Sequence, residues 1–428
     1  MNNTLSRDSL AIILICSSLG MDIKNETIKP YTIKQWNELS NKLLNSEMKR
    51  PAAFFETDEQ EWKNYLLMND DDAMKLKKLL SRAGQVGIEL EYLNSTGIYV
   101  TTRAEKNYPN RLKKILKKNS PPVIFYCGNI DITQSDGVAV VGSRKIDEKA
   151  LEFTKTLVTK CTAQGFTIVS GGARGVDTAA QNAALLSGGK VISVVADSLL
   201  QRIKRKDVRE AIMSGNLLLV TPSNPKNGFT VYSAMDRNKY IYALSKYAVV
   251  VSSDNNKGGT WTGAVENLKN KWVPLFVRKD DWIPEGNIGL IDSGALPLST
   301  SQLNENSFNI KKFFELEKEK IIEKSYVPEQ YSIFSYVREQ PEEMNHKAVD
   351  TYISTTEDEI DKDLEKIDLF PIIWPYMKKV LKKARSKEQL SELLNINKAQ
   401  LSIWLDRAIS ENKVKKITRP VRYVLFKE

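Results

Sequence analysis

An eight-residue stretch, SGGARGVD (170–177), combines residue types that bind phosphate. It follows an apolar run typical of a buried strand and precedes a run typical of a helix. The amino end of such a helix presents unpaired N–H groups and the positive end of its dipole. Glycines let the backbone approach a phosphate closely, and an arginine adds a charged donor. The predicted binding residues are Ser170, Gly171, Gly172, Arg174, Gly175 and Asp177.

Three further groups of residues repeat this chemistry beside other apolar runs. They are Gly142, Ser143 and Arg144 after GVAVV, Arg237, Asn238 and Lys239 ahead of YAVVV, and Gly258, Gly259 and Thr260 after YAVVV. Because the carboxyl ends of parallel strands meet at one edge of a sheet, the loops would converge on a shared anion site. We expect Arg144 and Arg237 to be exposed there, at the ends of loops.

The elements that must position these loops alternate along residues 137–278. Six near-continuously apolar runs are typical of parallel strands covered by helices on both faces. The runs are 137–142, 166–171, 191–197, 217–222, 247–253 and 272–278. Between the first two, Ala150, Phe153, Leu157 and Cys161 recur at helical spacing and would face the sheet. The predicted fold is a Rossmann-like α/β domain with a doubly wound, mostly parallel sheet.

Segments before and after the strands suggest the organisation of the rest of the chain. Residues 1–105 have mostly helical patterns, and we assign 106–300 to the sheet domain, with a basic connector at 106–129. Residues 301–370 are predicted to form an acidic helix or linker, because 315–368 carry a net charge of −9.

The last part of the chain, residues 371–428, has the pattern helix, helix, helix, hairpin, which is the plan of a winged helix-turn-helix domain. Residues 373–428 carry a net charge of +9. Ser386 and Gln389 are spaced as a capping box, and Leu401, Leu405, Ala408 and Ile409 would form an apolar face. A basic domain of this kind favours duplex DNA as a ligand, and a protein-docking module is the alternative.

Composition limits the chemistry. The one histidine in 428 residues, His346, excludes Ser-His-Asp and Cys-His nucleophiles. The three cysteines, Cys16, Cys127 and Cys161, are too far apart for a CxxC metal site and fit a reducing cytoplasm, so we expect no metal or cofactor.

The apolar stretch 10–16 is far shorter than the roughly 20 residues that span a bilayer. We therefore expect a cytoplasmic protein, and the net charge of +10 favours an acidic partner such as nucleic acid.

Common nucleotide motifs fit the loops poorly. The order GGARG lacks the GxGxxG spacing of dinucleotide sites, and no GxxxxGK[ST] occurs in the sequence. By contrast, VAVVGSR (138–144), SGGARGVDTAAQNAAL (170–185), DRNKYIYALS (236–245) and GGTWTGAVENLKNKWVPLFVR (258–278) occur in an order that resembles the DNA-processing protein A family, also called DprA or Smf. The resemblance covers roughly residues 106–300.

This resemblance implies a non-enzymatic protein that forms a homodimer and binds single-stranded DNA in a pocket built by the loops. It also implies protection of that DNA and loading of a RecA-type recombinase during transformation or recombination. DNA-contacting roles would fall on Arg144, on 170–177, and on Arg237, Asn238 and Lys239. Gln181 replaces the usual histidine and Lys239 the usual arginine, which predicts an altered DNA affinity and a specialised member of the family.

A second resemblance belongs to a different functional class. GGTWTGAVE (258–266) resembles the PGGxGTxxE loop of lysine-decarboxylase-like nucleotide phosphoribohydrolases, in which Glu266 would be catalytic. A nucleotide sensor of the same fold is the related reading. The missing proline and the intervening Trp261 count against both.

Overall fold

The computed structural model describes residues 5–21, 28–325, 370–394, 398–418 and 421–426. Most of the predicted acidic segment, including His346, lies outside these residues. The chain divides into two compact units, Met1–Ser332 and Ile333–Glu428. Among the described residues, no helix has the length and the apolar content needed to cross a bilayer.

Five helices come before the sheet along the chain. They are α1 (Arg7–Cys16), α2 (Ile33–Asn45), α3 (Glu59–Leu66), α4 (Asp70–Leu80) and α5 (Ala83–Ser95). The apolar stretch 10–16 lies in α1, and this helix is buried over most of its length. Thr32 and Gln35 form a reciprocal capping box that fixes the start of α2. The apolar faces of these helices join the hydrophobic cluster on one face of the sheet.

The sheet has nine strands. They are β1 (Tyr99–Thr102), β2 (Val123–Cys127), β3 (Gly137–Val141), β4 (Thr167–Ser170), β5 (Val191–Val194), β6 (Leu217–Thr221), β7 (Tyr247–Val250), β8 (Leu275–Arg278) and β9 (Leu296–Leu298). Their order is β1-β2-β6-β5-β4-β3-β7-β8-β9. In this spatial order, neighbouring strands are parallel from the pair β6-β5 to the pair β8-β9. The six predicted runs are thus confirmed as β3 to β8. Because the strand order reverses between β3 and β7, the switch point of the sheet lies there.

Two strands extend the sheet in the antiparallel sense, which the sequence did not predict. Phe125 of β2 lies opposite Thr221 of β6, and Tyr99 of β1 lies opposite Tyr126 of β2. The sheet therefore begins ahead of residue 106, where the predicted sheet domain starts. The segment predicted as a connector supplies a complete strand, fully buried, within it.

Helices cover both faces of the sheet. They are α6 (Asn110–Leu116), α7 (Glu148–Ala163), α8 (Val176–Leu186), α9 (Leu199–Arg202), α10 (Lys206–Met213), α11 (Val231–Asp236), α12 (Asn238–Ala243), α13 (Gly258–Asn270), α14 (Glu285–Asp292), α15 (Thr300–Asn304) and α16 (Ile310–Ser325). Alternate residues of a strand face opposite sides. Val138 and Val140 accordingly join the cluster that contains Phe153 of α7, while Ala139 joins the cluster that contains Ile241 of α12. This arrangement confirms the doubly wound α/β fold.

The second unit has its own hydrophobic cluster. Its elements are α17 (Phe370–Val380), α18 (Lys387–Leu394), α19 (Lys398–Ser410), β10 (Val414–Thr418) and β11 (Val421–Leu425). Ser386 and Gln389 form the predicted capping box, with the Gln389 N–H donating to Ser386 Oγ at 3.3 Å. Leu401, Leu405 and Ala408 are buried. The order of elements is the predicted one, and its assignment as a DNA-binding winged helix stays a prediction.

Candidate functional site

The loops that leave β3, β4 and β7 are joined by backbone hydrogen bonds at the switch point. The Ser143 N–H donates to the Ser252 carbonyl at 3.0 Å and the Val176 N–H donates to the Ser143 carbonyl at 3.2 Å. The segment after β3 is thereby fixed between its two neighbours. The structure thus brings the predicted loops together at the carboxyl edge of the parallel strands.

Two glycines make this close packing of loops possible. A Cβ atom on Gly142 would lie 2.6 Å from Val176 Cγ2, so a larger residue would push α8 away from the end of β3. A Cβ atom on Gly175 would lie 2.3 Å from the Ser143 carbonyl oxygen, and the φ of Gly175 is +79°. Both glycines therefore serve contacts within the protein. The role of Gly175 in bringing the backbone to a phosphate stays a prediction.

Arg237 is only 8% exposed, so the prediction that it lies exposed at a loop end was wrong. Its guanidinium donates to the carbonyls of Gly171 and of Val194, the latter at 3.0 Å. It also lies 3.7 Å from the carboxylate of Asp177. A Cβ atom on Gly171 would lie 2.3 Å from Arg237 Nη2, so that glycine makes room for the guanidinium. Arg237 holds the loop after β4 against β5.

Two polar residues of the glycine loop also act within the protein. Ser170 is buried and donates from Oγ to the Val140 carbonyl at 2.9 Å. The Asp177 carboxylate is buried and accepts from the Ala173 N–H at 3.3 Å. Burial raises the pKa of Asp177, while the charge of Arg237 and the loop N–H groups act in the opposite direction. The Ser170 hydroxyl and the Asp177 carboxylate are thus used in contacts that hold the loop.

Arg202 and Asp197 complete the support for the loop, and the sequence analysis missed both. Arg202 donates from Nη2 to the Gly172 carbonyl at 3.0 Å and from Nε to Asp197 at 2.8 Å. A Cβ atom on Gly172 would lie 2.8 Å from Ser193 Oγ, and Gln181 donates to that same oxygen at 2.9 Å. The signal that could have found them is the end of the run 191–197, because Asp197 is its last residue and Arg202 follows five residues later.

The first turn of α13 is the helix start that lies open at this edge. Gly258 and Gly259 are exposed, and the N-cap residue Lys257 makes no side-chain capping hydrogen bond. The first N–H groups of a helix have no partner within the helix, so this turn presents donors to a ligand. Asn238 positions the turn by donating to the Gly259 carbonyl at 3.0 Å.

Other predicted residues near α13 have separate environments. Thr260 is half-buried in the first turn of this helix. Lys239 forms an ion pair with Asp236 and lies over the ring of Tyr240 at 5.0 Å. Glu266 is half-buried in the third turn, about 12 Å along the helix axis from Gly258. It is therefore set back from the loops.

Arg144 and Arg174 are the exposed arginines of the predicted set. Within the described part of the chain, neither forms an ion pair. Their backbones are adjacent, because Gly175 packs against the carbonyl group of Arg144. Burial lowers the pKa of Arg237, the charges of Asp177 and Asp197 raise it, and the nearby positive charges of Arg202 and Arg144 lower it. The edge therefore carries a concentration of cationic groups.

An exposed apolar segment, residues 229–235, borders these cations. Tyr232 is 81% exposed and Phe229 is 52% exposed. The guanidinium carbon of Arg144 lies 5.7 Å from the centre of the Phe229 ring. Ser233 anchors the segment by donating from Oγ to the Ala196 carbonyl at 2.9 Å. Cations, an open helix start and exposed aromatic rings thus lie at one edge of the sheet.

Comparison with known proteins gives similarities over this same region. The family model described as DNA recombination-mediator protein A matches residues 99–305. The DNA processing protein DprA of Streptococcus pneumoniae is 31% identical over 199 residues, which cover 46% of this chain and 69% of the relative. Protein Smf of Borreliella burgdorferi is 28% identical over 229 residues, which cover 53% of this chain and 71% of the relative.

The chain is also similar to solved structures. The X-ray structure of DprA from Streptococcus pneumoniae has a TM-score of 0.48 and 20% identity, covering 65% of this chain and 98% of that one. The Helicobacter pylori DNA processing protein A, whose structure was described for its single-stranded DNA binding mode, has a TM-score of 0.41 and 24% identity. That match covers 52% of this chain and 96% of the other.

Proposed function

The chain belongs to the DNA-processing protein A (DprA/Smf) family, and from this premise we propose that it binds single-stranded DNA at the carboxyl edge of its parallel strands. The observation that carries the proposal is the presence of unpaired, exposed arginines beside exposed aromatic rings. Arginines bind the phosphates of a strand, and aromatic rings stack on unpaired bases. A duplex offers its phosphates but keeps its bases stacked on one another, so this combination favours a single strand.

We assign the predicted residues to two roles. Arg144, Arg174 and the N–H groups of the first turn of α13 are the proposed phosphate contacts. The residues that hold the loops are Gly142, Ser143, Ser170, Gly171, Gly172, Gly175, Asp177, Arg237 and Asn238. Lys239 is committed to Asp236. The proposed contact surface is therefore smaller than the predicted set and includes the aromatic segment that the sequence analysis did not identify.

Replacing Arg144 or Arg174 with alanine is expected to weaken binding of an oligothymidylate about 10-fold or more, because each change removes a charge-assisted phosphate contact. The stability of the fold should not change, since both side chains are exposed and unpaired among the described residues. Fluorescence anisotropy at several salt concentrations measures the affinity. Arg209→Ala, which removes an exposed arginine from α10, is the matched control. Absence of binding by the unmodified protein at low salt would refute the proposal.

Tyr232→Ala and Phe229→Ala are expected to weaken single-strand binding by about 5- to 150-fold each, the range measured when a base loses an aromatic stacking partner. A stable hairpin of the same length should be affected much less. Tyr65→Ala removes a partly exposed tyrosine from α3 and serves as the control. Full single-strand affinity in both variants would show that bases do not stack on this segment.

We extend the proposal to the functions that family membership suggests. The protein would act as a homodimer that protects single-stranded DNA and assists a RecA-type recombinase, and its basic C-terminal unit would contact duplex DNA. It would act by binding rather than by catalysis. Release of a base from a nucleoside monophosphate by the purified protein, abolished by Glu266→Gln, would instead support the nucleotide phosphoribohydrolase alternative.

A further inference from the structure

A second cationic surface covers α6 and the turn that follows it. We call it the α6 lysine surface, and its members are Lys106, Lys113, Lys114, Lys117 and Lys118. All five side chains are exposed. Residues 106–129 contain no aspartate or glutamate. The surface therefore concentrates positive charge in a short piece of chain without compensation from the same segment.

The rest of the described chain does not neutralise this surface. Within the described residues, none of its lysines forms an ion pair. The nearest acidic residue before it, Glu105, accepts hydrogen bonds from Ser6 Oγ at 2.7 Å and Ser9 Oγ at 2.6 Å. Its carboxylate is thus committed to the start of α1. Partial burial and the positive charge of Arg103 both lower the pKa of Lys113, as expected where cations are crowded.

The backbone that carries these lysines is firmly held. Leu112 and Leu116 are buried in the cluster on the second face of the sheet. The Tyr108 hydroxyl donates to the Pro121 carbonyl at 2.7 Å, and Arg111 donates to the Ser245 carbonyl. Lys113 Nζ lies 5.3 Å from the centre of the Tyr108 ring. Because the backbone of α6 is fixed at both ends, the points from which the lysine side chains extend are set before a ligand binds. This lowers the entropic cost of binding.

The carboxyl end of α6 lies toward the proposed DNA site, while its first turn contacts Ser245 ahead of β7. Helix α6 packs against α12, which begins at Asn238 beside the first turn of α13. Strand β2 runs antiparallel to β6, with Phe125 opposite Thr221. The turn that leads into β2 therefore lies toward the carboxyl end of β6, on the same edge of the sheet as the glycine loops. A strand that leaves the loops on this side would run toward Lys117 and Lys118, in the turn after α6.

We propose that the α6 lysine surface binds the phosphates of the same single strand beyond the loop site and so lengthens the stretch of DNA that one protein molecule covers. This inference rests on the proposed function. The ammonium group of a lysine is a compact point charge that binds phosphates without contacting the bases. The added contact is therefore independent of the DNA sequence. Acidic proteins also bind lysine-rich surfaces, but the position of the turn after α6 on the same edge of the sheet as the arginines and aromatic rings favours nucleic acid.

The test compares two variants that each lose three exposed lysines. One carries Lys113→Ala, Lys114→Ala and Lys118→Ala, and the control carries Lys155→Ala, Lys190→Ala and Lys269→Ala from other parts of the same unit. Lys117 is kept because its φ is +50°. Binding is measured for oligothymidylates of about 8 and about 40 nucleotides, the first within and the second well above the roughly 4–16 nucleotides that one binding module covers.

The α6 variant is expected to bind the long oligonucleotide at least about 10-fold more weakly at moderate salt, with a salt dependence about 2 units shallower in log–log slope. The short oligonucleotide should bind as tightly as it does to the unmodified protein. If the α6 variant matches the control, or if it loses both oligonucleotides equally, the extension is refuted while the proposed function stands. If the unmodified protein binds neither oligonucleotide, both the extension and the proposed function fail.

Discussion

Arg237→Ala is expected to lower the free energy of unfolding by about 3–5 kcal/mol, the usual cost of removing one partner from a buried ion pair. The change would leave the Asp177 carboxylate without its cationic partner in a buried site. It would also remove the donor to the Gly171 and Val194 carbonyls. Urea unfolding followed by circular dichroism measures the effect. An exposed arginine should tolerate the same change, and Arg209→Ala supplies that comparison.

A double-mutant cycle separates the ion pair from the other contacts of Arg237. The combination Arg237→Met with Asp177→Leu removes both charges and should be less destabilising than the sum of the two single changes. The remaining loss would come from the two carbonyls that no longer receive a hydrogen bond. Strict additivity of the two changes would contradict a contribution from the ion pair with Asp177. An Arg237→Ala protein as stable as the unmodified one would contradict the assignment of Arg237 to the support of the loop.

Gly175→Ala is expected to cost about 2–6 kcal/mol, because it combines an unfavourable backbone conformation with a steric clash. The added methyl group would lie 2.3 Å from the Ser143 carbonyl oxygen, in backbone that cannot turn aside as a long side chain would. Relief of the clash requires α8 to move away from the end of β3. We therefore expect loss of single-strand binding together with loss of stability.

Gly188→Ala is the matched control for this substitution. Gly188 also has a positive φ, +68°, but no atom lies within 4 Å of the position where its Cβ would be. Its replacement should cost only the conformational strain, about 1–2 kcal/mol, and should leave DNA binding unchanged. Equal losses at Gly175 and Gly188 in the same unfolding assay would show that the contact with Ser143 contributes nothing.

The sequence was sufficient for the central part of the fold. Strands β3 to β8 are buried on both faces, so each appears as a continuous apolar run that needs no knowledge of its partners. The loops at the switch point follow from the rule that carboxyl ends of parallel strands share one edge. The pairing of β2 with β6 depends on contacts between distant segments, and no local pattern reports it.

The sequence predicted which loops meet at the candidate site, but not the environment of each side chain. Arg237 joins α11 to α12 and Arg144 lies in the loop after β3, and of these two arginines one is buried and the other exposed. The difference comes from Asp177 and from two carbonyls that face Arg237, which local sequence does not reveal. The aromatic segment was overlooked because exposed Tyr232 and Phe229 have the composition of a buried element. Side-chain burial, rather than residue type, separates Arg237, which supports the loop, from Arg144, the proposed phosphate contact.

The antiparallel strands at one side of the sheet affect how the chain can fold during synthesis. Strand β2 requires β6 as its neighbour, which leaves the ribosome roughly 90 residues later, on the order of 5–20 s at about 5–20 residues per second. During that interval β1 and β2 can pair with each other, but the far edge of β2 keeps unpaired N–H and C=O groups. This apolar edge is a site for non-native association, so nascent chains that end before β6 should require chaperones to remain soluble.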